Sequence, residues 1–310
     1  VPIYIDLQGR WWDSKIANDA LKKKSAIQED QMPIPIPEAG FKTLPINHDD
    51  IDIWFPVLHG PNGEDGTVQG LLKLIGKPFI GSGVLGSALG MDKIAMKAAF
   101  KAAELPQVNF IAIEDMDLYK DSLLQNLLNE IEKKLKYPCF IKPANLGSSV
   151  GISKAENQKE VIQGIKKALS LDKRIIIEES VQGRELECAA LGNQDMKISE
   201  VGEVNLKGSE WYDYKTKYSN QSNSPIIPAQ IPEEVKKEIQ NLTYQACKAI
   251  SAKGIARVDF FYIEKNNKLF INEINTLPGF TEQSMYPSLW EASGLTIQQL
   301  VAQLVDSARQ

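Results

Sequence analysis

Two hydrophobic rhythms alternate along the chain. Short apolar runs bounded by turn residues read as strands: Val1-Pro2-Ile3-Tyr4-Ile5-Asp6, "DIDIWFPVLHG" (49–60), "YPCFIKP" (137–143) and the continuous β-branched run "RIIIEESV" (174–181). Wider spacings read as helices: the Ala-, Met- and Lys-rich stretch 86–104, "DSLLQNLLNEIEKKL" (121–135) with Asp121 as a cap, "PEEVKKEIQNLTYQACKAI" (232–250), and a closing helix over 296–308. Beyond residue 180 the rhythm shortens. "GRELECAALG" (183–192) alternates like an antiparallel strand, and "ARVDFFYIEKNNKLFINEIN" (256–275) reads as a hairpin. This order predicts an α/β part followed by an α+β part, in more than one domain. "LKKKSAIQEDQMPIPIPE" (21–38) and "SNQSNSP" (219–225) read as surface loops.

The hairpin raises the first chemical question. "FINEINTLPGFT" (270–281) begins as an apolar strand, which Glu273 and Asn275 interrupt. If "EKNNK" (264–268) is the loop, Ile263 pairs with Leu269, Asp259 lies opposite Glu273, and Arg257 lies opposite Asn275. Side chains alternate faces, so these four share one face, with directly opposite Cβ atoms roughly 5 Å apart. Two carboxylates at that distance repel unless a cation, a proton or a base intervenes. The oxygens of Asp259, Glu273 and Asn275 suit a hard cation such as Mg²⁺, which completes its shell with water and substrate phosphates. They equally suit a solvated strand face on which Arg257 neutralises Asp259. A slip of one residue would dissolve the set.

Composition narrows the partners. The 310 residues carry 35 Lys+Arg against 40 Asp+Glu, a net charge of −5, whereas a general binder of nucleic acid or anionic membrane is more often basic. Cys139, Cys188 and Cys247 are far apart and form no CxxC pair, and His48 and His59 are the only histidines. A zinc site or disulfide framework is therefore not expected, and a reducing cytoplasm is. No apolar run approaches the ~20 residues of a spanning helix, and no signal peptide is legible.

A metal site of this kind calls for a nucleotide site nearby. In "FIKPANLGSSVGISK" (140–154), Lys142 ends a strand, and Gly147-Ser148-Ser149-Val150-Gly151 can turn several backbone N–H groups toward one anion. The plain alternative is a hairpin turn beside a solvated lysine. No Walker A motif is present: "GLLKLIGKP" has one residue too many between its glycines and Pro where Ser or Thr is needed. "GSGVLG" (81–86) matches GxGxxG, yet the acidic residue about 20 positions on, Glu104, falls at the end of a predicted helix instead of a strand. A tight loop between domains is preferred there to a dinucleotide fingerprint. "LHGPNGEDGTVQG" (58–70) gathers His59, Glu64 and Asp65 in a glycine-rich strand-end loop, a plausible active-site element.

Taken in order, "HGPNGEDGTVQG", "MDK", "KPANLGSSVGISK", "GRELECAALGN", "YDYKTKY", "ARVDFF" and "NEINTLPGFT" resemble the D-alanine–D-alanine ligases of the ATP-grasp superfamily. The likeness covers nearly the whole chain from about residue 50, and "IYIDLQGRWW" looks like the family's second N-terminal strand. The resemblance implies a three-domain ATP-grasp fold of α/β and α+β type, with the nucleotide held between two antiparallel sheets. Its divisions fall at 1–88 (N-terminal), 89–181 (central) and 182–310 (C-terminal, with a lid loop over 208–229). The implied activity is ATP-dependent ligation of two D-alanines through an acylphosphate, for peptidoglycan precursors, by a cytoplasmic homodimer using two Mg²⁺ or Mn²⁺ ions.

Site residues carry over by position. Lys93, Lys142, Ser149 and Lys217 look like the phosphate contacts, Glu178 and Glu179 the adenine end, and Glu185 the ribose-binding acid. Asp259, Glu273 and Asn275 match the metal ligands. Arg257 and the Gly279 N–H resemble the oxyanion donors, Ser284 the residue that holds the second substrate's carboxylate, and His59 a substrate contact. Ser148 and Tyr218 resemble a hydrogen-bonded pair over the first subsite, with Lys217 and Tyr218 on a lid that excludes water.

The family opens with a strand and a loop reading like GG-x-S-x-E-H-E-x-S, and no such segment precedes Val1. The chain starts about one βα unit later, so an incomplete N-terminal domain and poor activity are expected of a molecule that truly begins there. The competing readings are another ATP-grasp carboxylate–amine ligase, such as one joining D-Ala to D-Ser, an ATP-binding protein without turnover, and, more distantly, a dehydrogenase built on "GSGVLG".

Overall fold

The computed structural model describes residues 1–6, 8–23, 26–27, 40–41, 44, 48–114, 121–147, 149–205 and 224–310. They fall into two units, Val1–Asp52 and Ile53–Gln310. In the first, β1 (Tyr4–Ile5) pairs antiparallel with β2 (Trp11–Trp12), and α1 (Ser14–Lys23) follows. The stretch that resembles one strand is thus a hairpin, and Asp6 is the reason. Its Oδ1 accepts from the N–H groups of Gln8 and Arg10 at 2.9 and 3.0 Å, while Oδ2 accepts from Trp12 Nε1 at 3.0 Å. Trp12 is thereby buried against Ile16 and Ile27.

The second unit carries two four-stranded antiparallel sheets. One has the order β3 (Phe110–Glu114), β6 (Arg174–Glu179), β4 (Cys139–Pro143), β5 (Ser153–Ala155). The other has the order β10 (Lys268–Asn275), β9 (Gly254–Ile263), β7 (Arg184–Gly192), β8 (Lys197–Glu203). Helices α5 (Asp121–Lys134) and α6 (Gln158–Leu169) cover the first sheet, enclosing Ile131, Ile141, Val161, Ile175 and Ile177. On the second, α7 (Glu233–Ala249) packs Ile239 and Ala246 against Val258, Phe260, Tyr262 and Ile271. Helices α8 (Met285–Ala292) and α9 (Ile297–Ala308) bury Tyr286, Leu289 and Leu304 with Ala189 and Leu191 of β7. Each large apolar side chain among these contributes roughly 1.5–3 kcal/mol when fully buried.

Period-2 alternation then decides what faces the other way. With Val258, Phe260 and Tyr262 in a core, Arg257, Asp259 and Phe261 point out of it. With Cys139 and Ile141 in the other core, Phe140 and Lys142 do the same. Two polar sheet faces are thus left to line a cleft.

Two expectations are revised. The run 49–60 forms no extended strand: residues 48–50 are a 3₁₀ turn, and only Trp54 bridges Phe79. The stretch 86–104 is two helices, α3 (Val84–Met91) and α4 (Lys93–Ala102), because Asp92 leaves helical geometry and caps the second one. Its Oδ1 accepts from Ile94 and Ala95 N–H at 3.0 and 2.9 Å, and its Oδ2 meets Arg174 at the start of β6. In "GSGVLG", a Cβ on Gly86 would meet Ser251 O at 2.8 Å, and a Cβ on Gly254 would meet Gly81 N at 2.9 Å. Gly86 and Gly254 thus allow close backbone packing between the two segments, as a tight loop requires. A further helix, α2 (Thr67–Leu74), follows the histidine loop, where the sequence pattern signals only a glycine-rich turn. Among the described residues no helix is long and apolar enough to cross a membrane.

Because Asp92 both caps α4 and ties it to β6, Asp92→Ala is expected to lower the urea-unfolding midpoint at a cost of about 1–2 kcal/mol. Asp92→Asn, which keeps the cap and loses the charge, should cost less.

Candidate active site

Two clefts meet inside the second unit. A cleft of about 530 Å³ lies between the sheets and is lined by Lys142, Ser149, Glu178, Glu179, Glu185 and Asp259, among others. A second, of about 340 Å³, is lined by His59, Glu64, Arg257, Asn275, Gly279 and Ser284. Lys93, Gly147, Glu187 and Glu273 belong to both.

The hairpin places the carboxylates as expected, by a different route. Asp259 is opposite Glu273, and Arg257 is opposite Asn275. At the turn, however, Ile263 pairs with Lys268, one residue short of the expected Leu269, because a 3₁₀ turn over Glu264–Asn266 and left-handed Asn267 close the loop. A bulge between Ile271 and Glu273 adds the missing residue, Asn272. It also changes parity, so that Leu269 and Ile271 face the core before it and Ile274 after it. Glu273 and Asn275 are thereby aimed into the cleft, as bulges beside functional sites often do.

Charges in the cleft are paired. Arg257 donates through Nε and a terminal nitrogen to both oxygens of Asp259, each at 2.7 Å, and its Nε lies 2.9 Å from Glu187 Oε2. Lys93 Nζ donates to Leu146 O at 2.9 Å and lies 3.8 Å from Glu273. Buried Glu178 receives Lys142 at 2.5 Å and Lys97 at 3.1 Å. Burial works to raise the Glu178 pKa, but the charges of Lys142 and then Lys97 outweigh it and hold the carboxyl down at about 2. Asn275 Oδ1 accepts from Leu277 N–H at 2.9 Å, leaving one lone pair toward the cleft. Among the described residues no three Asp, Glu, His or Cys side chains converge on a point. A cation at Asp259, Glu273 and Asn275 would therefore draw the rest of its shell from water and phosphate, which suits the hard-oxygen chemistry of Mg²⁺.

Glu178 and Glu179 part company, as strand neighbours must. The Glu179 side chain accepts from the Asn109 backbone and side chain at 2.9 and 3.0 Å, so its carboxylate is committed to the protein. In the glycine loop, Val150 N–H donates to Gly147 O and Ile152 N–H to Ser149 O. Those two donors close turns and are not offered to an anion. Gly279 sits so near Ser284 that a Cβ would lie 2.9 Å from its Oγ, which already accepts from Thr281 N–H at 3.0 Å.

His59 and Glu64 both reach the second cleft from one loop. Burial first, and then the charge of Arg257, hold His59 below its ordinary pKa. Glu64 is pushed up to about 7, chiefly by burial; the Gly60 N–H, which donates to its Oε2, opposes this, and Glu273 adds to it. Ser148, Lys217, Tyr218 and most of the lid stretch 208–229 lie outside the described residues. The site residues not singled out from sequence are Glu187, legible as the partner of Glu185 at period 2, and Lys97, four residues after Lys93 on one helix face.

Comparison with known proteins agrees with this geometry. Family models match in two parts, D-ala D-ala ligase N-terminus over residues 1–82 and D-ala D-ala ligase C-terminus over residues 99–306. The D-alanine–D-alanine ligase of Synechococcus sp. (strain CC9311) is 56% identical over 310 residues, covering 100% of this chain and 88% of that protein. That of Prochlorococcus marinus (strain MIT 9313) is 55% identical over 310 residues, again covering 100% and 88%. Among solved structures, the D-alanine-D-alanine ligase from Coxiella burnetii superposes with a TM-score of 0.76 at 33% identity, covering 99% of this chain and 83% of that one. VanG D-Ala:D-Ser ligase from Enterococcus faecalis gives a TM-score of 0.79 at 32% identity, covering 99% and 89%.

The raised Glu64 pKa has a signed consequence. Between its unfolded value of 4.5 and about 7 the folded protein holds the extra proton, so stability from this group falls as pH rises through that window. Glu64→Gln, still able to accept from Gly60, is expected to raise the unfolding midpoint at pH 8 by on the order of 1 kcal/mol. The difference should vanish near pH 4.5 in a pH series of urea melts; a variant destabilised at pH 8 would refute the burial cost.

Proposed function

The chain belongs to the D-alanine–D-alanine ligase family, and we propose that its two clefts hold ATP and two D-amino acids on either side of Lys93 and Glu273. The enzyme joins two D-alanines to D-alanyl-D-alanine with consumption of ATP, through an acylphosphate, in making peptidoglycan precursors. The observation that carries the site assignment is that the two clefts share a Lys–Glu pair at which a phosphoryl group would pass between them.

In the first step a carboxylate oxygen of one D-Ala attacks the γ-phosphorus. The bond from that phosphorus to the bridging oxygen breaks, and ADP leaves. Lys93, Lys142 and, from the lid, Lys217 balance charge on the transferring group, so catalysis is positioning and electrostatics. The Glu178 carboxylate and the backbone at Glu179 meet the base, Glu185 the ribose, and Ser149 the phosphate side of the loop. Asp259, Glu273 and Asn275 would hold divalent metal, two Mg²⁺ or Mn²⁺ ions, which supply Lewis-acid charge to the phosphates when bound. Arg257 and Lys93 meanwhile offset the repulsion of the facing carboxylates.

In the second step the amine of the other D-Ala attacks the acyl carbonyl, loses a proton, and phosphate leaves. Arg257 and the Gly279 N–H stabilise the oxyanion. Ser284, beside Gly279 and bonded to Thr281, holds the second carboxylate, and His59 contacts substrate at the rim. By their place in the family's motifs, Ser148 and Tyr218 would close the first subsite. The divisions 89–181 and 182–310 each enclose one sheet, and we read 1–88 as the N-terminal substrate domain. ATP as substrate places the work in the cytoplasm. A second reading, D-Ser as second substrate, is favoured only by the likeness to VanG D-Ala:D-Ser ligase, which is less identical than the D-alanine ligases.

The test is ADP release with D-Ala, D-Ala plus D-Ser, and D-Ala plus D-lactate, with product masses. D-Ala alone should support turnover and yield the dipeptide, and Glu273→Gln should lower kcat by about a hundredfold or more. ATP binding without ADP release for any D-amino acid would replace this reading with a nucleotide-binding protein.

A further inference from the structure

Lys97 has no part in the scheme above, yet its position is unusual. The residue is 0% exposed, where lysine is almost never found unless paired. Nζ lies 3.1 Å from Glu178 Oε1 without hydrogen-bond alignment and 5.7 Å from the centre of the Phe110 ring. Burial lowers its pKa, and Glu178 opposes that shift. Glu178 and Lys142 line the nucleotide cleft, whereas Lys97 stands behind Glu178, outside the lining.

One buried carboxylate needs one cation, and Glu178 has two. The second is accounted for if the first does not stay. Lys142, at the end of its strand and on the cleft wall, is the one free to turn toward phosphate. Lys97 is locked in by the helix that Asp92 caps and Arg174 anchors.

We propose that Lys97 is a positioning residue, a standing counter-charge that keeps Glu178 ionised and in place when Lys142 leaves it for the phosphates of ATP. The proposal rests on the assignment of Lys142 and Glu178 to the nucleotide. It follows that without Lys97 the departure of Lys142 would strand a buried carboxylate, which is strongly unfavourable. Lys142 would then stay on Glu178, and ATP would lose a cation.

The experiment is steady-state ADP release by the full chain with D-Ala, with ATP and D-Ala varied in turn. It compares the unaltered protein, Lys97→Met, Glu178→Gln and the double variant. Lys97→Met should raise KM for ATP by about tenfold or more and leave KM for D-Ala within about twofold. The double variant should match Glu178→Gln alone, since an uncharged residue 178 leaves Lys97 nothing to balance. An unchanged ATP KM in Lys97→Met, or a further rise in the double variant over Glu178→Gln, would overturn the proposal while sparing the site assignment. An unchanged ATP KM in Glu178→Gln would overturn both. If Lys97→Met fails to fold, the double variant, which removes both charges, still tests the proposal, because a KM for ATP above that of Glu178→Gln overturns it.

Discussion

The cleft is organised by the cost of unpaired charge. Period-2 alternation obliges each sheet to turn one face away from its helices, and on both sheets that face carries ionisable side chains. Enclosed between the sheets, like charges would repel and single charges would be poorly solvated. The protein answers with three opposed sets: Arg257 between Asp259 and Glu187, Lys93 beside Glu273, and Lys97 with Lys142 around Glu178. Each set joins different elements of the fold, so the same contacts that neutralise the cleft also fix α4, β4, β6, β7, β9 and β10 around it.

How much of this is legible in the sequence depends on how local the cause is. Alternation within a strand is local, and the facing of Asp259 by Glu273 is reachable by counting along "ARVDFFYIEKNNKLFINEIN". The count succeeds through two departures that cancel: a loop one residue tighter than expected, and a bulge at Asn272 that restores the register. Asn is uncommon in strands, but residue type alone does not place a bulge at Asn272. The bulge is selected because it lets Ile271 and Ile274 both reach the core of α7, which is a property of the packed sheet.

Non-local causes stay hidden. The helix over 86–104 breaks at Asp92 because its carboxylate finds both a helix N-terminus and Arg174, a partner far along the chain. The strand at 49–60 dwindles to one bridge because, among the described residues, its partner there is Phe79 alone. Asp6 turns one apparent strand into a hairpin by accepting from Gln8, Arg10 and Trp12. Ordered motifs tell more than any of these. Taken singly, the glycine loop and the histidine loop each have a plain alternative, while their order along the chain points to one family, and the family models match it in two parts.

The same charge constraint governs what binding must do. A cleft whose lysines and arginine already face carboxylates cannot take up a polyanion by simple attraction, so ligand and protein must exchange partners. On the proposed assignment, Lys142 would leave Glu178 for phosphate, and Asp259 and Glu273 would exchange part of their pairing with Arg257 and Lys93 for divalent cation. Such an exchange needs some residues that move and some that do not. Lys142 and Arg257 stand on strands at the cleft wall. Glu178 is a buried member of the same wall, and Lys97 is buried behind it. On that assignment, the division between charge on the cleft wall and charge held behind it would let the site change partners for a highly charged substrate while Glu178 keeps a cation.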